Sequence, residues 1–201
     1  MGSKERIARE KAEVREKILE AALKIIIAEG CLALSMRKIA DQIEYAPATI
    51  YEYFANKDTI LIELMGQGYT LLGNAIKRAA SGHTTPHHKL EAMWQAYWNF
   101  AFRHTELYKL MHSIQVSCPT PEGEAKNVHL PRALFMEVMT EMIPPSASAA
   151  GIAENKYYAM WASVHGLISI NIVNEKLSKD KNNRIMRDTI SAIVNSKYAQ
   201  V

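Results

Sequence analysis

The sequence predicts an all-α protein on three observations. Apolar residues recur at helical spacing along nearly the whole chain, no segment sustains the apolar/polar alternation of a strand, and helix-capping residues fall between the periodic runs. The first helix is expected over Glu10 to Glu29, where Val14, Ile18, Ala22 and Ile25 form one stripe and Leu19, Leu23 and Ile26 widen it. Gly30 stops it, as a left-handed cap. Ser35 is a natural N-cap for a short second helix, Met36 to Ile43. Pro47 opens a short third helix, at the position where its missing N–H costs nothing, and Ile50 and Phe54 form its buried edge. Asn56 caps a fourth helix that runs to about Ala80, with Asp58 at the positive end of its dipole.

The loop-like stretch Ser81 to Pro86 marks a break, and five further helices are expected over about 87–103, 106–117, 125–142, 153–177 and 182–198. Nine helices in two domains result: residues 10–56 as a small helical domain, 57–80 as a connecting helix, and 81–201 as a larger helical domain.

Bulk properties restrict the function without naming it. The 201 residues are 48% apolar and 22% charged, an ordinary balance for a globular protein. No apolar run approaches the ~20 residues that a membrane span needs, and the charged N-terminus lacks an apolar signal core, so a cytoplasmic protein without a membrane partner is expected. Cys31 and Cys118 belong to no paired-ligand motif and read as idle thiols. Net charge is only +3, and residues 1–60 hold ten basic and ten acidic side chains. Nucleic-acid binding must therefore rest on where individual side chains sit, not on a basic domain.

Residues 35 to 54 carry that placement. Two short helices meet at a tight turn, with Ile39, Ala40, Ile43, Tyr45, Ile50 and Phe54 as the apolar positions and small Ala40 permitting close approach. Ala48, Thr49, Tyr51, Glu52 and Tyr53 are left to point outward. Such a face on so short a helix suits a DNA major groove, where small residues permit close approach and hydroxyls bond phosphates or base edges.

From Arg15 to Leu64 the chain resembles the N-terminal domain of the TetR family of bacterial repressors. The carriers are Ile18-Leu19-Glu20-Ala21-Ala22, Gly30, Ser35-Met36-Arg37-Lys38-Ile39-Ala40, Thr49-Ile50-Tyr51-Glu52-Tyr53-Phe54 and Asn56-Lys57-Asp58. The resemblance implies that Arg37 contacts a phosphate with help from Ser35, that Thr49 and Tyr51 touch backbone and bases, that Tyr53 reaches a phosphate, and that Lys57 clamps another. Ala46, Pro47, Ala48 and Glu52 complete the expected DNA-facing set. Three departures stand out. Glu44 occupies the turn position usually held by glycine, Ala46 replaces the usual capping Ser or Thr, and Glu52 sits where relatives are often basic. A carboxylate there is repelled by phosphate unless it accepts from a cytosine amino group, so Glu52 is expected to shape operator preference.

Aromatic residues and methionines crowd the second half. Met93, Trp94, Tyr97, Trp98, Phe100 and Phe102 fall within ten positions, more than one buried stripe needs. Core packing accounts for any one of them. Together, Trp94, Trp98, Met111, His112, Gln115, Phe135, Met139, Trp161 and His165 are candidates to line an apolar pocket with a few orienting polar groups. Trp161-Ala162-Ser163-Val164-His165-Gly166 resembles a C-terminal variant within the family named for its Trp, His and Gly. A mid-helix Gly166 implies close approach of another helix.

The same family resemblance implies a homodimer built from the last two helices, for which Ala159, Ala162, Gly166, Ile170, Val173, Ile185, Thr189, Ile190 and Ile193 are the candidates. It further implies a double-stranded DNA operator and a small-molecule effector as partners, with effector binding releasing the DNA. No cofactor, metal or catalytic residue is expected. His83, His87 and His88 lack a completing Cys, Asp or Glu, and no Glu-x-x-His, His-Glu-x-x-His, P-loop or Gly-x-Ser-x-Gly motif occurs. An architectural DNA-binding protein that senses nothing is the alternative, and a filled core in the second domain would favour it.

Overall fold

The computed structural model describes residues 2–112, 123–146, 148–173 and 177–196. Among them are nine α-helices, one 3₁₀ turn and no strand, as the periodicity predicts. The chain packs as two compact units. One comprises residues 1–68 and 106–128; the other comprises 69–105 and 129–201. Residues 106–112 and 123–128 thus group with the first unit.

The first unit is built on α1 (Ser3–Glu29), a 3₁₀ turn (Cys31–Ala33), α2 (Met36–Gln42), α3 (Pro47–Tyr53) and the first half of α4 (Lys57–Ser81). Its core consists of Ile18, Leu19, Ala22, Ile25, Ile26, Leu34, Ile39, Ala40, Ile50, Phe54, Ile60, Leu61 and Leu64, all buried. The predicted stripe of α1 and the buried edge of α3 are both in this list. Tyr45 differs, lying at the surface. Ser35 Oγ accepts from the Lys38 amide, 3.2 Å away, and caps α2. Asn56 Oδ1 accepts from the Thr59 amide at 2.9 Å, while Thr59 Oγ1 accepts from the Asn56 amide, a reciprocal cap that starts α4.

Gly68 of α4 explains how α6 (Thr105–His112) fits against this unit. A Cβ on Gly68 would lie 2.5 Å from Met111 Sδ, so the missing side chain makes the notch that Met111 fills. Cys31 is disulfide-bonded, which corrects the expectation of an idle thiol. The other cysteine of the sequence, Cys118, lies outside the described residues.

The second unit holds the rest of α4, α5 (Pro86–Arg103), α7 (Leu130–Glu141), α8 (Ala149–Val173) and α9 (Lys179–Asn195). Helix α7 starts five residues later than the apolar pattern predicts. Gly123 at φ 128° and Asn127 at φ 62° interrupt the run, and Pro131 falls in the first turn of the helix that follows.

Two polar clamps join α8 to α9. Asn171 and Asn182, both buried, exchange reciprocal amide hydrogen bonds of 3.0 Å, and Asn171 Oδ1 also accepts from the Leu177 amide. At the other end, Lys156 Nζ donates to the carbonyls of Ile193, Val194 and Ser196 at 2.7–3.0 Å. A cation there satisfies carbonyls that a helix C-terminus leaves unpaired and sits at the negative end of the dipole.

Candidate functional site

The outward face of α3 is held by a turn whose geometry follows from one departure in the sequence. Glu44 adopts φ 59°, the left-handed conformation that glycine enters without penalty. Its amide donates to the Asp41 carbonyl at 3.4 Å, and the Tyr45 amide donates to the Ala40 carbonyl at 3.0 Å. These two bonds close a Schellman motif that ends α2 and redirects the chain into α3. Ala46 precedes Pro47 with no side-chain cap, and the Thr49 amide bonds the Ala46 carbonyl instead.

Only Ile50 of α3 is buried, with Phe54 following it as a second anchor. Ala46, Pro47, Ala48, Tyr51 and Glu52 are exposed, and Thr49 and Tyr53 are half-buried. Tyr51 is 57% exposed, an unusual position for a large ring with no packing duty. Arg37, in the first turn of α2, is exposed, and Lys57 opens α4 half-buried. Neither makes an ion pair among the described residues. Lys38 differs, since its ammonium is engaged by Glu29 at 2.6 Å. Small, hydroxylated and cationic groups are therefore gathered around one short exposed helix, an arrangement suited to phosphates and base edges.

One strong feature of this unit escaped the sequence reading. Arg15 of α1 donates from Nε to Glu63 Oε1 at 2.9 Å, from Nη2 to Glu63 Oε2, and from Nη1 to the Tyr53 carbonyl at 2.8 Å. Its guanidinium also lies 4.1 Å from the centre of the Phe54 ring.

The second unit treats the candidate ligand residues unevenly. Trp94, Phe135 and Met139 are buried in a close-packed core, where the Trp94 and Phe135 rings stack at 4.1 Å and Tyr157 lies 6.2 Å from Trp94. The cluster that reads as a pocket lining is thus largely filled by its own rings. Within it, Trp94 Nε1 is buried and has no hydrogen-bond partner among the described residues, which is uncommon for a buried indole. Trp98 packs on Phe102 at 4.7 Å, half-buried. Trp161 donates from Nε1 to the Tyr97 hydroxyl at 3.1 Å and stacks on His165, 4.9 Å away. Burial lowers the His165 pKa, so the ring favours its neutral form. Met111 and His112 belong to the first unit, where Met111 fills the Gly68 notch. Gln115 lies outside the described residues.

Along α8 and α9 the candidates for a subunit contact also separate. Ile170, Val173 and Ile185 are 49%, 38% and 36% exposed, and Ala162 is exposed as well. Ala159, Gly166, Thr189 and Ile193 are half-buried. Ile190, 2% exposed, points inward with Met186 and is removed from the set. A Cβ on Gly166 would meet nothing within 4 Å, so none of the described helices approaches it closely.

Short exposed α3, its turn and α2 define a helix-turn-helix protein. Comparison with known proteins makes this specific. Residues 18–64 match the family of bacterial regulatory proteins of the tetR type, and residues 90–190 match the tetracyclin repressor-like C-terminal domain. The chain belongs to the TetR family of transcriptional regulators. The matched family and the curated relatives carry the names of regulatory proteins. The C-terminal match is to this general domain and lends nothing to the Trp-His-Gly variant.

The transcriptional repressor KstR of Mycolicibacterium smegmatis is 33% identical over 81 residues, which cover 40% of this chain and 40% of KstR. The fatty acid degradation regulator FadR from Bacillus halodurans shares the fold with a TM-score of 0.67 at 16% identity, over 90% of this chain and 94% of that one. Thermus thermophilus FadR, solved with lauroyl-CoA, gives 0.58 at 14% identity, over 93% and 96%.

Proposed function

We propose that the protein is a dimeric cytoplasmic repressor that reads a palindromic operator through α3 and releases it when a small apolar or aromatic effector binds the second unit. The observation that carries the reading is α3 itself, exposed along Ala48, Tyr51 and Glu52 and flanked by two cations without ion pairs among the described residues. In this reading Tyr51 and Thr49 touch bases and backbone, Glu52 accepts from a cytosine amino group, and Arg37, Tyr53 and Lys57 hold phosphates, with Ser35 beside Arg37. A few placed cations release counterions without a basic domain.

In this reading residues 10–56 serve DNA reading, residues 57–80 connect, and the sensing and dimerising work falls to 81–201. The exposed apolar row Ala162, Ile170, Val173 and Ile185, with Ala159, Gly166, Thr189 and Ile193 beside it, supports a two-fold contact. Such a dimer presents two α3 helices about 34–36 Å apart, or a multiple of that.

Support for the effector is the aromatic core with its unpaired Trp94 Nε1, a donor available to a ligand oxygen once the rings part. The lauroyl-CoA bound by Thermus FadR makes a long acyl thioester a reasonable first probe. The filled state of that core favours the second reading, a DNA-binding protein that senses nothing. Gel-shift titration on the DNA flanking the protein's own coding region, repeated across salt and with lauroyl-CoA and small aromatic acids, separates them. Repression predicts a salt-sensitive specific complex that one of these ligands dissolves. A folded dimer without a specific complex would refute the operator claim, and a complex indifferent to every apolar ligand would favour the second reading.

A further inference from the structure

We infer that Arg15 is a positioning residue for DNA reading: it fixes the angle of α3 against α1 and α4 without touching DNA. This rests on α3 being the helix that enters the groove. Helix α3 has seven residues, too few to be stable alone, and its only buried side chain is Ile50. Its N-terminus carries no side-chain cap, and the turn before it is held at Glu44 in a conformation that costs energy. Something outside the helix must therefore restrain its far end.

Arg15 does this from three directions. Nη1 donates to the carbonyl of Tyr53, the last residue of α3, where the dipole is negative and carbonyls lack intrahelical partners. Nε and Nη2 form a fork on the Glu63 carboxylate, almost two turns into α4. The face of the guanidinium covers Phe54, the residue that ends α3. One planar cation on α1 thus references the end of α3 to α4. Three of its five N–H donors are directed at protein acceptors, one from each nitrogen. A lysine presents a single ammonium in place of the fork and cannot reproduce this set.

Base contacts require α3 at one angle, whereas phosphate contacts tolerate a spread of angles. Loosening Arg15 should then reduce specific binding more than nonspecific binding. The test compares wild type, Arg15→Met, Arg15→Lys and Glu63→Gln in the full-length protein. The duplex that wild type enriches from a randomised library is the specific probe, and a mixed-sequence duplex of equal length is the reference. Arg15→Met is expected to lose about tenfold on the selected duplex, corresponding to about 1.4 kcal/mol. Reference binding should stay within about twofold, with the slope of log affinity against log salt unchanged. Arg15→Lys should not restore the ratio. Glu63→Gln, which retains Arg15 and its Tyr53 bond, should show a smaller loss of the same kind and guards against misfolding of Arg15→Met.

Amide hydrogen exchange without DNA reads the latch independently of any operator. Exchange at residues 49–54 should accelerate in both the Met and Gln variants, while the core of α1 keeps its protection. Unaltered exchange there would overturn the inference even if no sequence is enriched. So would a wild-type specific-to-reference ratio alongside lowered thermal stability, which would reduce Arg15 to a purely structural role. A salt slope smaller by about one would make Arg15 a phosphate contact and would also overturn it.

Discussion

Replacing Glu44 by glycine should make this protein more stable. Glu44 holds φ 59° at the Schellman position between α2 and α3, where the bonds Tyr45 to Ala40 and Glu44 to Asp41 close the turn around it. A residue with a Cβ gives up roughly 1–2 kcal/mol in the left-handed region. Glycine removes that cost but adds freedom to the unfolded chain, which offsets about 0.4–1 kcal/mol. A net gain of about 0.5–1 kcal/mol remains. For a chain of this size about 2–4 °C accompanies each kcal/mol, so the melting midpoint should rise by roughly 1–4 °C. Glu44→Ala is the control, because it removes the carboxylate and keeps the backbone penalty. Thermal and urea unfolding followed by far-ultraviolet circular dichroism measure all three proteins. A Glu44→Gly midpoint at or below wild type refutes the strain argument, and an equal gain in Glu44→Ala assigns the effect to charge.

Lys156→Met removes the ammonium that satisfies three carbonyls at the end of α9, and a loss of about 1.5–3 kcal/mol is expected for charged hydrogen bonds of this kind. An unchanged urea midpoint would count against the clamp. His104 and His165 have pKa values lowered chiefly by burial, so the unfolded chain takes up protons near the ordinary 6.5 while the folded chain resists. Stability from these residues is present above that pH and declines as pH falls below it. His165→Gln should therefore flatten the fall in melting temperature between about pH 6.5 and 5, and equal slopes in the two proteins would contradict this. Lys57→Ala should weaken binding to all duplexes alike and lower the salt slope by about one. Glu52→Ala should change the base enriched at one operator position in a site selection, and an unchanged selected sequence would rule out its role in specificity.

The DNA-reading unit was legible because its signals are local. Ser35 and Asn56 mark helix ends through bonds within a few residues, Pro47 and Gly30 through their backbone conformations, and each holds its predicted place at a helix boundary. Even the awkward turn was visible, since a family position that favours glycine carried Glu44. What stayed hidden depends on partners distant in sequence. Arg15 and Glu63 are 48 positions apart, and nothing in either neighbourhood announces the pairing. The Gly68 notch and the Met111 that fills it are separated in the same way.

In α9 the inward row is Asn182, Met186 and Ile190. Its polar first member disguised the buried stripe and put Ile190 on the wrong face. The aromatic cluster shows the limit of composition: six large side chains close together were recognisable, but whether they line a space or fill it depends on packing.

The central claim is that the exposed face of α3 reads DNA, and Tyr51 tests it most directly, because its half-exposed ring has no hydrogen bond or ring partner among the described residues. Fluorescence anisotropy with the wild-type-selected duplex, alongside a thermal melt, measures both sides of the question in Tyr51→Ala. The account predicts an unchanged melting midpoint and a loss of about tenfold or more in affinity, equivalent to about 1.4 kcal/mol or more. Wild-type affinity in a variant with an unchanged melt would contradict it.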